Sequence, residues 1–384
     1  MTAADPPASG RLKRAAECGV DTCRDELVEL AEKIHSRPEV AWEERLASGW
    51  VAQALAGHGF DVDHGAFGLP TAVRATTGSG SRRVGVFAEY DALPGLGHAC
   101  GHNLIAALAV GAAVALRGLA DELDLTVEVY GCPAEEGGGG KIEMLRAGAF
   151  AGLDLAMMAH PAPVDVARAR PLAVAHQHIR YDGRTAHAGA YPDQGVNAAD
   201  AMVVAQVAIG LLRQQLRDGT RVHGIVTQGG QAPNAIPARV EGRWYVRAAD
   251  LDELSELTAR VDRCFEAGAL ASGAALTISP ESEPYSHFRT DERALTAYRA
   301  NAAALGRPCS TDLAAARMAT ASTDMANVSL VVPAIHPYVG LDAGGAANHE
   351  PGFAAACRGG SAERMLRDAA VALARTAVDV FATG

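Results

Sequence analysis

The stretch VGVFAEYDALPGLGHACGHNLIAALAVGAAVALRGL, residues 84–119, decides the fold class of this chain. A short apolar run opens it, a polar segment follows, and an apolar stretch with helical character, Leu104–Leu119, ends it. Similar short apolar runs, separated by helical stretches, recur at Leu125–Tyr130, Leu153–Ala159 and Val328–Val332. This alternation predicts an α/β domain in which helices flank a mixed sheet of buried, mostly parallel strands.

A second pattern lies between about Pro171 and Glu283. The predicted order is strand, helix, two strands, helix and strand, at Leu172–Tyr181, Asn197–Leu216, Val222–Gln228, Val240–Val246, Leu251–Ala267 and Leu276–Ser279. This order predicts a βαββαβ domain of the ferredoxin-like kind at residues 172–283. It would be inserted in a larger, discontinuous domain made of residues 1–171 and 284–384.

Length and composition narrow the classes of protein that fit. The 384 residues favour two domains, and the net charge of -11 argues against a nucleic-acid or anionic-membrane partner. The apolar stretches end well before membrane-spanning length, and the N-terminus lacks the apolar core of a signal peptide. The seven cysteines contain no CxxC pair, so a disulfide framework is not expected. We therefore expect a cytoplasmic protein that acts on small molecules.

Polar groups able to bind metal or move protons follow three of the apolar runs. Val84–Ala88 leads into Glu89-Tyr90-Asp91 and then His98-Ala99-Cys100-Gly101-His102. Leu125–Tyr130 leads into Glu135-Glu136, and Leu153–Ala159 ends at His160. Because sites in open α/β sheets form at the carboxyl ends of the strands, we expect these clusters to converge.

The residue types in these clusters suit a metal site. Cys100 and His102 offer a thiolate and an imidazole two residues apart, and His349 follows a glycine turn. Of two adjacent carboxylates such as Glu135 and Glu136, one can bind metal while the other takes a proton from water. Considered alone, Cys100 could equally be a buried residue that fills apolar space. The glutamate pair, considered alone, could be a solvent-exposed acidic turn.

Together these motifs resemble the M-twenty peptidase family, in its amidohydrolase branch with aminoacylases and aminobenzoyl-glutamate hydrolases. The resemblance covers nearly the whole sequence. The matching stretches are residues 34–39 (IHSRPE), 91–94 (DALP), 98–102 (HACGH), 133–137 (PAEEG), 185–188 (TAHA), 234–237 (NAIP) and 322–325 (STDM). Cys-Gly-His followed by Glu-Glu-Gly is the specific part of this signal.

The resemblance implies a zinc-peptidase-like catalytic domain and a dinuclear metal site. Glu135 would be the general base that acts on a metal-activated water. The ions would be two Zn²⁺ or Mn²⁺, with Co²⁺ or Ni²⁺ as alternatives. Their ligands would be Cys100, His102, Glu136, His160 and His349.

For the inserted domain, the resemblance implies a lid through which two copies form a homodimer. His187 would reach the partner's active site and stabilise the tetrahedral oxyanion. Asn234 would contact the substrate beside it, and Arg247 is a candidate for binding the substrate carboxylate. Ordinary lid surface is the alternative interpretation of all three residues.

Two departures from the pattern of the branch are present. Glu89-Tyr90-Asp91 stands where many relatives have Arg-Ala-Asp, which leaves the shape of the acyl pocket open. Asn103 follows the Cys-Gly-His where an aspartate is common, and this change could alter how His102 is oriented.

The sequence thus predicts a metal-dependent amidohydrolase that cleaves N-acyl amino acids or small peptides. A metal-stabilised binding protein without turnover, and an esterase or carbamoyl-amide hydrolase on the same scaffold, remain as alternatives.

Overall fold

The structure of the chain, a computed structural model, describes residues 8–312 and 316–382. The described residues separate into two compact units. The larger unit contains the residues up to Pro171 together with those from Phe288 onward, and the smaller unit is Leu172–His287. Among the described helices, none is long and apolar enough to cross a membrane.

The α-helices and β-strands are numbered along the chain. The helices are α1 (Ala8–Thr22), α2 (Arg24–Ser36), α3 (Arg45–Gly57), α4 (His102–Arg117), α5 (Ala120–Leu123), α6 (Gly140–Arg146), α7 (Ala198–Leu212), α8 (Leu251–Ser272), α9 (Glu292–Ala304), α10 (Met325–Ser329), α11 (Pro351–Ala356) and α12 (Gly359–Phe381). The strands are β1 (Asp61–His64), β2 (Val73–Thr77), β3 (Arg82–Glu89), β4 (Leu125–Cys132), β5 (Leu155–Met157), β6 (His160–Ala162), β7 (Ala173–Asp182), β8 (Arg221–Gln228), β9 (Arg239–Ala248), β10 (Ala275–Pro280), β11 (Ala334–Ile335) and β12 (Tyr338–Gly340).

The main sheet of the larger unit has the strand order β1-β2-β4-β3-β5-β11. The β3–β4, β3–β5 and β5–β11 pairs are parallel, whereas β1–β2 and β2–β4 are antiparallel. A short parallel pair, β6 with β12, lies beyond the end of β5 and aligns His160 with Tyr338. The mixed sheet confirms the predicted α/β class.

Both faces of this sheet are buried, which explains the apolar runs in the sequence. Val84, Val86 and Ala88 pack in one core together with α2, α4 and α12. Phe87 packs on the opposite face with the aromatic ring of Tyr130, in a core that α6 and α10 complete. Alternate residues of each strand thus enter different cores, because successive side chains point to opposite faces of a sheet.

The smaller unit has its elements in the order β-α-β-β-α-β. Its four strands form an antiparallel sheet with the order β10-β7-β9-β8. Ile179 and Tyr181 of β7 and Trp244 of β9 are buried in a core with helices α7 and α8. Strand β8 lies at the edge of the sheet and is exposed along most of its length.

One predicted strand is wrong. Residues 328–332 form the end of the short helix α10 and the turn that follows it. The strand in this part of the chain is Ala334–Ile335. The hydroxyl of Thr323 accepts a hydrogen bond from the Met325 amide (3.1 Å) at the start of the helix. A short apolar run fits a buried strand and a buried helix equally, so its pattern alone could not decide.

Candidate metal centre

The site lies where the strands of the larger unit end. Strand β3 leads to Asp91, and a loop then carries Cys100 to the start of α4 at His102. Gly101 between them has a φ of 84°, and a Cβ there would lie 2.8 Å from the Pro161 side chain. Only glycine fits this left-handed position, which turns the thiol and the imidazole toward one centre.

His102 is oriented by Asp91. Its Nδ1 lies 2.9 Å from the Asp91 carbonyl oxygen and 3.0 Å from Oδ1, which places the ring proton on that nitrogen. Nε2 is buried and has no hydrogen-bond partner among the described residues. Burial opposes protonation of the ring, but Asp91 outweighs it and holds the pKa of His102 well above its usual range. A cation at Nε2 would displace the proton that the charged ring carries there, and a carboxylate behind a ligating histidine is a common metal-site arrangement.

Cys100 and His160 meet beside His102. The Cys100 Sγ lies 3.5 Å from the Nε2 of His160, whose Nδ1 bonds to the Pro161 carbonyl at 2.7 Å. Burial raises the pKa of the Cys100 thiol and lowers the pKa of His160. The neutral imidazole is the form that binds metal, whereas the thiol must lose a proton when it does.

Glu136 and His349 approach each other on the other side of Cys100. His349 Nε2 lies 3.5 Å from Glu136 Oε1, which is buried without a hydrogen-bond partner among the described residues. Asp91 also serves here, since its Oδ2 accepts the Glu136 amide at 3.0 Å. His349 has a φ of 69° and donates its amide to the Ala99 carbonyl (2.8 Å), which ties the two loops together.

These side chains fit two divalent cations. The ligand atoms of Cys100, His102 and His160 lie within 4.8 Å of one another, and so do those of Cys100, Glu136 and His349. The two groups share the Cys100 sulfur. The structure therefore brings together all five side chains that the sequence singled out, and a set of thiolate, imidazole and carboxylate suits Zn²⁺ and its neighbours in the first transition row.

Glu135 borders this centre. Its Oε2 lies 3.8 Å from His102 Nε2, and the residue is buried. Burial raises the pKa of Glu135 well above its usual range, and the charges of Glu89, Glu136 and Asp324 add to this effect. A carboxylate with such surroundings accepts a proton readily, as a general base must.

Three further residues near the centre form ion pairs that the sequence did not predict. Lys141 is fully buried at the start of α6 and forms ion pairs with Glu89 and with Asp324. The other oxygen of Glu89, Oε2, lies 3.5 Å from His102 Nε2. Glu89 and Asp324 stand in stretches that the sequence analysis singled out, but a charged side chain does not reveal its partner, and Lys141 had no signal of its own.

The expected influence of residue 103 on His102 is not seen. The Asn103 amide donates to the carbonyls of Ala31 (3.3 Å) and Cys357 (3.0 Å), and so joins α4 to neighbouring segments. Asp91 orients His102 instead, because it follows β3 directly and reaches the imidazole.

His187, Asn234 and Arg247 lie in the smaller unit. His187 is exposed and pairs with Ala235 in an isolated bridge, while the Ala188 amide donates to the Asn234 carbonyl (2.9 Å). The His187 Nδ1 accepts the amides of residues 189 (3.2 Å) and 190 (3.1 Å), so the ring carries its proton on Nε2. The Arg247 Nε donates to His223 Nε2 (3.2 Å).

A mixed α/β unit with two adjoining metal-ligand groups and a buried glutamate beside them defines a metallohydrolase class of site. The sequence pattern of peptidase family M20/M25/M40 matches residues 85–377. The chain belongs to this family. Its membership confirms that the protein is a hydrolase acting on amide bonds, as the motifs predicted.

The relatives agree with this assignment. The chain is 40% identical over 391 residues to the Xaa-Arg dipeptidase of Mus musculus, covering 96% of this chain and 89% of the mouse protein. It is 32% identical over 280 residues to a p-aminobenzoyl-glutamate hydrolase subunit of Escherichia coli, covering 67% of this chain and 58% of the bacterial protein. The solved structure of the YxeP protein of Bacillus subtilis, a dinuclear metal binding peptidase, matches with a TM-score of 0.69 at 21% identity, covering 95% of this chain and 100% of that one.

Proposed function

We propose that this protein is a dinuclear-metal dipeptidase that hydrolyses dipeptides with a cationic C-terminal residue. The observation that carries the proposal is the convergence of two ligand groups on Cys100, with Glu135 beside them. The substrate class follows the Xaa-Arg dipeptidase of Mus musculus, with which this chain shares 40% identity over nearly its full length.

The chain's own residues would divide the work as follows. Two divalent ions would be held by five side chains, those of Cys100, His102, His160, Glu136 and His349. The ions would be Zn²⁺ or Mn²⁺, with Co²⁺ or Ni²⁺ as alternatives. When bound, such ions polarise an amide carbonyl and lower the pKa of water. Cys100, His102 and His160 are buried, so bulk water would be excluded on their side of the centre, where electrostatic interactions are then stronger.

Glu135 would move the proton. Its carboxylate takes a proton from the attacking water and delivers it to the amine that leaves when the C–N bond breaks. The position of Glu135 beside His102 supports this role, because a group that moves a proton between the water and the leaving amine must lie at the centre.

The smaller unit would complete the site from a second copy of the chain. With Nδ1 accepting two backbone amides, His187 presents an Nε2–H donor of the kind that stabilises a developing oxyanion. Asn234, next to His187 in space, would contact the substrate, and Arg247 would pair with its carboxylate. Measuring kcat and KM for His187→Ala, Asn234→Ala and Arg247→Ala tests the three roles separately.

Exposed apolar side chains support a homodimer through the smaller unit. Val203, Val207 and Leu211 recur every four residues on α7, and each is more than half exposed. Ile225 and Val226 are exposed on β8, the edge strand of the sheet. An edge strand and an apolar stripe in one unit are features that a second copy can cover. Light scattering on wild type and on Val207→Glu measures whether the dimer forms and whether it uses this stripe.

Metal analysis with a substrate panel tests the function. The panel contains Xaa-Arg dipeptides, neutral dipeptides, N-acetyl amino acids, aminobenzoyl-glutamate, and ester and carbamoyl analogues, assayed before and after chelation. We expect about two ions per chain and chelator-sensitive cleavage that favours Xaa-Arg. Glu135→Gln should keep its ions and lose hydrolysis. Wild-type turnover in that variant would remove Glu135 as the base, and metal binding without any cleavage would favour the binding-protein alternative.

A further inference from the structure

The segment that carries Glu135 and Glu136 is a closed turn, residues 133–140. The amides of Gly138 and Gly139 donate to the Ala134 carbonyl at 3.0 and 2.9 Å. A Cβ on Gly140 would lie 1.9 Å from the Pro133 carbonyl oxygen, so the two ends of the turn touch. Ala134 itself has a φ of 54°, a left-handed conformation that is unfavourable for any residue but glycine. Something outside the turn must hold it in place.

Glu44 provides that hold. Its carboxylate is fully buried at the start of α3. Oε1 accepts the amides of Ala134 (2.8 Å) and Trp42 (2.9 Å), and Oε2 accepts the hydroxyl of Thr71 (3.0 Å). The Glu44 side chain thus joins Ala134, the residue just before the two glutamates, to Trp42 and Thr71, which are distant from Ala134 in sequence. Burial and the charge of Asp91 raise the pKa of Glu44 to about 7.

Trp42 closes the same contact from outside. Its φ of 68° is unusual for a bulky side chain, and its amide bonds to Glu44. A Cβ on Gly138 would lie 2.5 Å from the indole Nε1, so the ring covers the glycine side of the turn. Two left-handed residues, Trp42 and Ala134, therefore donate to the same carboxylate oxygen. Neither residue is a glycine, and the amide of each is held by Glu44.

We infer that Glu44 is a positioning residue for the catalytic turn, which sets where the carboxylates of Glu135 and Glu136 point. Glu44 belongs to neither ligand group of the metal centre. It acts through the Ala134 amide, one residue before the general base. A displacement of about 1 Å in a catalytic group can reduce turnover by about 100-fold. The inference rests on the proposed function for its effect on turnover, and on geometry alone for its effect on metal binding by Glu136.

Three substitutions separate positioning from bulk stability. Glu44→Gln keeps an oxygen for both amides and an NH₂ that can donate to the Thr71 hydroxyl, so it preserves the contacts. Glu44→Ala removes these contacts. Glu44→Asp shortens the side chain by one methylene, which moves the carboxylate away from its partners but disturbs packing less. Glu128 offers a matched control, because it is equally buried in the same unit and pairs with Arg74 and Arg83.

The measurements are kcat and KM on an Xaa-Arg dipeptide at saturating metal, metal affinity by calorimetry, and the thermal midpoint. We expect kcat to fall by about 10-fold to 100-fold in Glu44→Ala and Glu44→Asp, with KM within about threefold and weaker binding of one ion. Glu44→Gln should restore kcat to within about threefold of wild type. Glu128→Ala should lower the thermal midpoint and leave kcat and metal affinity unchanged.

Each contrary outcome has a defined meaning. If Glu44→Ala melts earlier but keeps wild-type kcat and metal affinity, Glu44 is structural only and the inference is overturned. Equal losses in the Gln and Ala variants would overturn it too, because the accepted hydrogen bonds would not be what matters. If Glu44→Ala does not fold, wild-type kcat and metal affinity in Glu44→Asp decide against it. A wild type that binds metal but cleaves nothing removes the proposed function, while the metal titrations still test the turn.

Discussion

Replacing Asp91 with alanine should weaken the metal centre without dismantling it. Asp91 is buried at the end of β3 and serves both ligand groups. Its Oδ1 lies 3.0 Å from His102 Nδ1, and its Oδ2 accepts the Glu136 amide at 3.0 Å. The variant removes both carboxylate contacts. It retains the backbone carbonyl at position 91, which lies 2.9 Å from the same His102 nitrogen.

The magnitude follows from what is lost and what remains. Because the carbonyl can still accept the His102 proton, the ring keeps the tautomer that aims Nε2 at the ion. What disappears is the charge of the acceptor, which makes His102 a stronger ligand, together with the anchor on Glu136. Loss of such a supporting carboxylate costs about 10-fold to 100-fold in metal affinity, or about 1.4 to 2.8 kcal/mol.

The assay is a competitive titration of chelated protein with Zn²⁺ and Mn²⁺, alongside kcat at saturating metal. Asn103→Ala is the matched control, since Asn103 adjoins His102 in sequence but bonds to the carbonyls of Ala31 and Cys357. We expect the control to bind both ions as wild type does. Wild-type affinity in Asp91→Ala would refute the view that this carboxylate supports the centre.

Three other changes should have separable effects. His349→Ala should reduce the bound metal from about two ions to about one, because the ligand group of Cys100, His102 and His160 does not contain His349. Elemental analysis that still finds two ions would contradict this. Lys141→Met leaves Glu89 and Asp324 buried without their cation. Denaturant titrations should show a free energy of unfolding that is lower by about 3–5 kcal/mol. An unchanged midpoint would mean that the two carboxylates stay protonated. The pKa of Glu44 is raised from 4.5 to about 7, so its protonation stabilises the fold below about pH 4.5, and this contribution is lost as the pH rises through 7. Relative to Glu44→Gln, chelated wild type should therefore lose up to about 3 kcal/mol between about pH 5 and about pH 8, and parallel pH curves from thermal melts would contradict this.

The fold and the convergence of the polar clusters could be predicted because their signals are local in the sequence, whereas the assignment of individual ligands followed from the resemblance to the peptidase family. The alternation of apolar runs and helical stretches reports burial directly, and each run is followed at once by its chemistry. Glu135 and Glu136 come three and four residues after β4, and His160 three residues after β5. Their convergence needed only the rule that ligands gather at the carboxyl ends of parallel strands.

The supporting residues could not be predicted because each acts on a segment distant in sequence. Lys141 reads as a helix-surface lysine until the fold brings it between Glu89 and Asp324, which lie 52 and 183 residues away. Glu44 reads as an exposed helix start until the fold places Ala134 against it, 90 residues away. A charged side chain in the sequence carries no mark of such a partner. The error at Val328–Val332 has a different cause, since a short run of mostly apolar residues fits either kind of buried element.

The balance of charge explains why these supports are needed. Glu89, Asp91, Glu135, Glu136 and Asp324 lie around one centre, and Lys141 is the cation that pairs with two of them. Burying like charges together is costly, and burial and the neighbouring carboxylates raise the pKa of Glu135, which favours protons at the site when no ion is bound. Divalent cations would replace those protons and neutralise the same carboxylates, so metal binding, proton release and stability must be linked in this unit. Asp91 and Glu44 anchor the segment of Glu135 and Glu136 against that repulsion, and Lys141 joins Glu89 to Asp324. The geometry needed for catalysis is therefore set by residues that need not touch the substrate.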